Sequence, residues 1–253
     1  MFTYLTHPWQ RYWLIGLGLL WAVLLFGGFL AGRSDASTRM PTWTRLGSSL
    51  ALVAAAWSWY VFSRDTAAHA FTLLLALGMT AGFLGDLFMA GVLPGGRSVL
   101  GGMGAFGLGH VFYIAACLML GNQQGLNAAG PRWGAWAAWL LVGLVGWYVV
   151  VFRGQAATTL HWAALPYALL LASTAGCATG LALQAPAFIP LALGGALFLA
   201  SDLILAAQLF NGLRFPYIGD VIWLTYGPAQ LLIVYAAGAA RQVVGQTVAA
   251  LPS

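Results

Sequence analysis

The sequence contains no lysine and no glutamate, and charged residues make up only 6% of its 253 positions. A water-soluble domain carries about a quarter of its residues as charged side chains, so this scarcity excludes one. Cys117 and Cys177 both fall within apolar runs. A disulfide framework of the secreted type has no role there, and both read as small apolar filler. Ten arginines against five aspartates give a net charge of +5. They are spread too thinly for a nucleic-acid partner and suit headgroup anchoring and topology. In place of charge there is hydrophobicity, 61% of residues with a mean hydropathy of +0.86.

A bilayer core about 30 Å thick is crossed by a helix of ~20 apolar residues. Eight runs of that kind, bounded by Arg, Pro, Asn or Asp, are read at 13–32, 45–63, 67–93, 100–121, 133–152, 160–184, 188–210 and 221–245. The expected fold class is therefore all-α: a polytopic membrane protein in which residues 1–253 form one integral membrane domain, eight transmembrane helices in a single bundle. Short connections predict antiparallel neighbours. The first run lacks an A-x-A-like cleavage site after it and is read as a spanning helix, not a signal peptide. Tryptophans near span ends, including Trp9, Trp13, Trp43, Trp133 and Trp223, read as an aromatic belt.

Eight spans place both termini on one side, here called side A. Arg33, Arg39, Arg45, Arg97, Arg153 and Arg214 then fall on side B, against Arg11, Arg64, Arg132 and Arg241 on side A. The positive-inside rule makes side B cytoplasmic. The expected location is a bacterial inner membrane, crossed many times, with the mouth of the site facing the cytoplasm.

Carboxylates inside hydrocarbon are expensive and mark functional or water-filled positions. Asp86 in the third span and Asp202 in the seventh each lie roughly 10–12 Å below side B at 1.5 Å per residue. His110, with Tyr113 on the same helical face, enters from side B in the fourth span. Gln230, with Tyr226 one turn above it, does so in the eighth, and Asp220 stands at the mouth. His161 opens the sixth span. Side A offers no comparable set, so a cavity open to side B and closed near mid-membrane is expected. Gly82, Gly85, Gly102, Gly104, Gly107 and Gly109 suit close helix packing around it, and Pro228 is expected to loosen the last span beside Gln230.

Gly85-Asp86-Leu87 and Ser201-Asp202-Leu203 stand four spans apart. The helix after each carries Phe106-Gly107-Leu108-Gly109-His110 or Tyr226-Gly227-Pro228-Ala229-Gln230. This suggests a duplicated four-helix unit inserted twice in one orientation. The same four stretches, with Tyr113, resemble the YhhN family of membrane proteins, which includes the lysoplasmalogenases. The resemblance implies an eight-helix bundle that cleaves the vinyl-ether bond of lysoplasmenyl-phospholipids to a fatty aldehyde and a glycerophospho-headgroup. It also implies that the catalytic aspartates are Asp86 and Asp202.

That chemistry suits two carboxyls, one protonated to deliver a proton to the enol-ether β-carbon and one ionised to stabilise the oxocarbenium ion and direct water. His110, Tyr113, Ser201, Tyr226 and Gln230 are the candidate substrate- and water-binding residues, with Arg97 and Arg214 as candidates for the lipid phosphate. The partners expected are a lysophospholipid, water and membrane lipids, and no cofactor is called for. A zinc site from His110, His161, Asp86 and Asp202 is weakly supported, because the chain has no His-x-x-x-His pair and no glutamate. Three other readings stay open. The first takes the aspartates and His110 as polar clamps between helices, and the second takes the arginines as plain topology anchors. The third is a transporter or lipid-binding protein with the Asp pair as a proton relay. Nothing in the sequence fixes an oligomeric state.

Overall fold

In a computed structural model, residues 5, 7–33, 37–154 and 156–249 are described. Among them there are long helices and no strand. We number the helices α1 (Pro8–Ala31), α2 (Thr42–Phe62), α3 (His69–Ala90), α4 (Val99–Gln123), α5 (Ala129–Phe152), α6 (Thr159–Ala182), α7 (Pro186–Phe210) and α8 (Ile218–Ala249). Each overlaps one expected span.

Seven of the described helices are long and apolar enough to cross a bilayer, so this is a multi-pass integral membrane protein. The expectation of eight such helices is met only in part. The exception is α2, which has 21 residues but is not among those seven. Thr42, Thr44, Arg45, Ser48 and Ser49 in its first two turns lower its hydropathy. The site draws on three of them, Thr42, Arg45 and Ser49.

Local chemistry sets the helix ends. Gly91 closes α3 in the left-handed region with φ 71°, where glycine carries no Cβ penalty. Ser98 accepts a hydrogen bond from Gly101 N at 3.0 Å and caps α4. Thr158 and His161 form a capping box at the start of α6, so His161 serves a helix end. At the far end of α2, the Arg241 guanidinium from α8 donates to the Phe62 carbonyl and to Ser63 Oγ, a cation on a helix C-terminus. Helix α8 runs unbroken through Pro228.

Consecutive helices pack on each other except α4 and α5, α4 packing instead on α6, and α8 closes the bundle against α2, α3 and α7. Helices α6 and α8 are central, with 56% of their apolar windows buried, against 17% for the peripheral α5. Close approach of α3 and α4 requires Gly109, since a Cβ there would lie 2.9 Å from the Gly78 carbonyl. Trp59, Phe71, Leu120, Leu181 and Phe188, all from the side-A ends of their helices, are buried in one core. Cys117 and Cys177 are free and buried. The bundle thus has a largely apolar core at one end and holds Asp86 and Asp202 toward the other.

Candidate functional site

Helix α3 brings Asp86 to the face it shares with α2 and α8, where the side chain is 3% exposed. Both of its oxygens accept hydroxyl protons. Ser49 Oγ of α2 donates to Oδ2 at 2.6 Å, and Tyr226 Oη of α8 donates to Oδ1 at 2.8 Å. Gln230, one turn beyond Tyr226, donates from Nε2 to the Tyr226 oxygen, and its Oε1 lies 3.5 Å from Ser49 Oγ. The i, i+4 spacing of Tyr226 and Gln230 stacks them on one face. Three helices are tied together through one carboxyl group.

Asp202 of α7 is held differently. The Tyr167 hydroxyl of α6 donates to Oδ2. Its other oxygen has only Ser201 Oγ at 3.3 Å, and that hydroxyl also lies 2.8 Å from the Phe198 carbonyl. A serine has one proton to give, so the shorter intrahelical bond leaves Oδ1 of Asp202 weakly held.

Two cavities meet here. One, of about 370 Å³, is lined by Asp86, Asp202, Arg45, Arg97, Trp223 and Tyr226 among others, and also by Thr38, Thr42 and Gly219. These last place it at the end of the bundle where the α1–α2, α3–α4 and α7–α8 connections lie. The second, of about 70 Å³, has almost wholly apolar walls that include Met103, Val151, Leu171 and Leu199. Met89, Phe106, Asp202 and Leu205 line both. Phe106 stands edge-on to Phe198 and Tyr226, with centroids 6.2 and 5.9 Å away. Its place exists because residue 85 is glycine, where a Cβ would fall 2.8 Å from the ring carbons. The Gly85-Asp86 pair thus makes room for the shared wall and supplies the carboxyl beside it.

The other sequence candidates are distributed unevenly. Arg97 lines the larger cavity, as Tyr226 does, while Gln230 and Ser201 act on residues that do. His110 lines neither cavity. Its Nδ1 pairs with Thr174 Oγ1 at 2.9 Å, and its ring stands edge-on to Phe198 at 4.5 Å, so it braces the wall from behind. His110 Nε2 and Tyr113 Oη are buried without a hydrogen-bond partner. Arg214 is exposed on the α7–α8 connection and lines neither cavity. His161 is bound to Thr158, Oγ1 to Nδ1 at 2.7 Å. Asp220 is fully buried and accepts from Arg39 N at 2.6 Å and Met40 N at 3.0 Å, pinning the α1–α2 connection. Among the described residues no group of three or more His, Cys, Asp or Glu gathers to hold a metal ion.

The profile of the YhhN family matches residues 40–237, well over half of the chain, and that stretch contains both aspartates and the side chains bonded to them. The chain belongs to the YhhN family. Neither the curated proteins nor the solved structures yield a match. In this YhhN protein, four site residues escape a reading of sequence alone: Ser49, Tyr167, Arg45 and Trp223. Ser49 left a trace, as half of a Ser-Ser pair in the least apolar helix. Tyr167 sits in an apolar run with no signal of its own. Arg45 reads as a topology charge and Trp223 as part of the aromatic belt, yet both line the larger cavity.

Proposed function

We propose that this YhhN protein is a lysoplasmalogenase-type hydrolase, cleaving the vinyl-ether bond of lysoplasmenyl-phospholipids to a fatty aldehyde and a glycerophospho-headgroup. The observation that carries this reading is that both carboxyl groups line one polar cavity, and that Asp202 also lines the apolar cavity beside it. A single-chain lipid has the matching division, an anionic head, one apolar chain and the reactive ether between them.

In this reading the alkenyl chain enters the apolar compartment, and the ether lies beside Asp202. Asp202 delivers a proton to the β-carbon, and the resulting oxocarbenium ion is stabilised by the Asp86 carboxylate. Two hydroxyl donors hold the Asp86 carboxyl in orientation. Water adds to the oxygen-bearing carbon and loses a proton to a carboxylate. The carboxyl that took this proton then gives it to the glycerol oxygen as the C–O bond breaks, while the hemiacetal hydroxyl gives its own proton to a carboxylate and becomes the aldehyde. One water is consumed, and the acid is regenerated.

We also take α2 as an eighth crossing, because its 21 residues suffice and its polar turn points to the site, not to lipid. The links Ser49 to Asp86 and Tyr167 to Asp202, each from the preceding helix, support the duplicated unit. The arginine distribution supports a mouth facing the cytoplasm of a bacterial inner membrane. A transporter or lipid-binding protein with an Asp proton relay is disfavoured by the apolar core that fills the side-A end.

The test is aldehyde release by purified, detergent-solubilised protein given lysoplasmenylethanolamine and, in parallel, the matching ester lysophospholipid, with and without a chelator. Aldehyde from the vinyl ether alone, unaffected by chelation, is expected. Chelator sensitivity would transfer the chemistry to a metal, and no turnover of either lipid would favour the relay protein.

A further inference from the structure

Arg45 lines the larger cavity, and the carboxyl pair does not use its chemistry. It lies in the first turns of α2 and is half-buried. Its Nη2 donates to Thr42 Oγ1 at 3.0 Å, and the guanidinium carbon lies 5.6 Å from the centre of the Trp223 ring. A guanidinium braced by an aromatic face and a hydroxyl is fixed in orientation and retains most of its five donors. Arg45 Nε is buried and has no acceptor among the described residues. The carboxylates near enough to serve it are engaged elsewhere, Asp86 with Ser49 and Tyr226, and Asp220 with Arg39 N and Met40 N.

Arg97 reaches the same cavity from the α3–α4 connection. Gly95 and Gly96, at φ 95° and 77°, turn the chain immediately before it, and its backbone N would lie 3.1 Å from a Cβ at Gly91. Among the described residues its side chain makes no hydrogen bond. Two cations with unspent donors therefore line a cavity of about 370 Å³ whose apolar neighbour begins at Asp202.

We propose that Arg45 and Arg97 form a clamp for the phosphate of a lipid headgroup, and that the site therefore selects single-chain phospholipids over neutral single-chain lipids. Guanidinium groups pair with phosphate oxygens through parallel charge-assisted hydrogen bonds. An anion there supplies the acceptor that Arg45 Nε lacks. The first turns of α2 and α8 also contribute Thr42 and Gly219 to the walls, and helix N-termini favour negative charge. The clamp holds the head on the polar side and leaves one chain to pass Asp202 into the apolar compartment. The inference rests on the hydrolase reading only for the position of the ether bond.

The experiment measures binding without turnover. Detergent-solubilised protein is titrated by microscale thermophoresis with a saturated 1-O-alkyl lysophosphoethanolamine, which has no vinyl ether to cleave. The comparison ligand is the 1-O-alkylglycerol of the same chain, which has no phosphate. Wild type is expected to bind the phospholipid about tenfold or more tightly than the glycerol lipid, the scale of one charge-assisted hydrogen bond. Arg45→Gln is expected to erase most of that preference, Arg97→Gln part of it, and Arg45→Lys to restore a fraction. Competition by glycerophosphoethanolamine separates the sources. Displacement by it means that the headgroup phosphate suffices, and displacement only by chain-bearing lipid means that the clamp reads phosphate on a lipid. Either keeps the clamp. Equal affinity of wild type for the two lipids overturns it, as does an unchanged preference in both glutamine variants. Because no bond is cleaved, the clamp can stand if the hydrolase reading falls, and the reverse.

Discussion

Tyr226 and Asp86 stand 140 positions apart in the chain, yet the tyrosine hydroxyl donates to the carboxyl Oδ1 at 2.8 Å, joining α8 to α3 inside the bundle. Ser49 completes the arrangement from α2. A carboxyl that accepts from two neutral donors in a low-dielectric interior is held in orientation. Asp202 has one firm donor, Tyr167, and opens on both compartments. The two aspartates are thus alike in sequence and unlike in setting, which is what an acid and a base require.

The first prediction is that Asp86→Asn and Asp202→Asn each lower vinyl-ether hydrolysis by about 10²–10⁴-fold, the usual weight of a positioned acid or base. Both are nearly isosteric, so size-exclusion profile and thermal stability should stay close to wild type. The measurement is aldehyde release per folded protein. Full activity in both variants would end the mechanism.

The second separates a site hydroxyl from a structural one. Tyr226→Phe removes the donor to Asp86 and the acceptor for Gln230 Nε2, and should lower turnover by about tenfold or more. Tyr235→Phe removes a buried bond from the same helix to the Leu14 carbonyl, at the end away from the cavities. That change should lower stability by about 1 kcal/mol and leave turnover per folded molecule unchanged. Comparable activity losses in the two variants would show that Tyr226 acts only through packing.

Much of this was legible before the fold was seen, and the reason is physical. In a membrane the rare ionisable residue stands out against hydrocarbon, so Asp86 and Asp202 declare themselves, and helix length alone fixes their common depth. Which neighbours meet them was less legible. Tyr167 and Ser49 reach the carboxyls because of how α6 and α2 are rotated about their axes. On α6 that rotation is set by packing glycines such as Gly176, where a Cβ would lie 2.7 Å from Trp136 Cα, and it leaves little mark in an apolar run. Arg45 and Trp223 were misplaced for a related reason. Near a span end, a cation or an indole has the same composition whether it faces headgroups or a cavity. His110 shows the converse, since its Nδ1 is paired with Thr174 behind Phe198 and not with either carboxyl.

The third prediction concerns Asp220, which satisfies two backbone N–H groups of the α1–α2 connection. Asp220→Ala strands both. The expected cost is about 1–3 kcal/mol of stability. Faster hydrogen exchange at residues 39 and 40 should appear before any change in the helices. Exchange at those amides equal to wild type would mean that Gly219 N, which donates to the Ser37 carbonyl at 2.8 Å, holds the connection alone.

The last prediction turns on Gly85. An added Cβ would lie 2.8 Å from the ring carbons of Phe106, too close for either to stay in place. The ring is the wall shared by the two cavities and stands edge-on to Tyr226 and Phe198. Gly85→Ala should therefore cost about 1–3 kcal/mol of stability as overpacking, and its loss of activity should exceed what that cost explains, because the displaced ring closes the passage at Asp202. Gly109→Ala makes a backbone contact of similar closeness, 2.9 Å from the Gly78 carbonyl, and lines neither cavity. It should destabilise to a like degree with turnover per folded molecule retained. The double variant Gly85→Ala, Phe106→Leu relieves the clash and should recover part of the lost activity. If it recovers stability alone, Phe106 is packing and the two compartments are not joined through it.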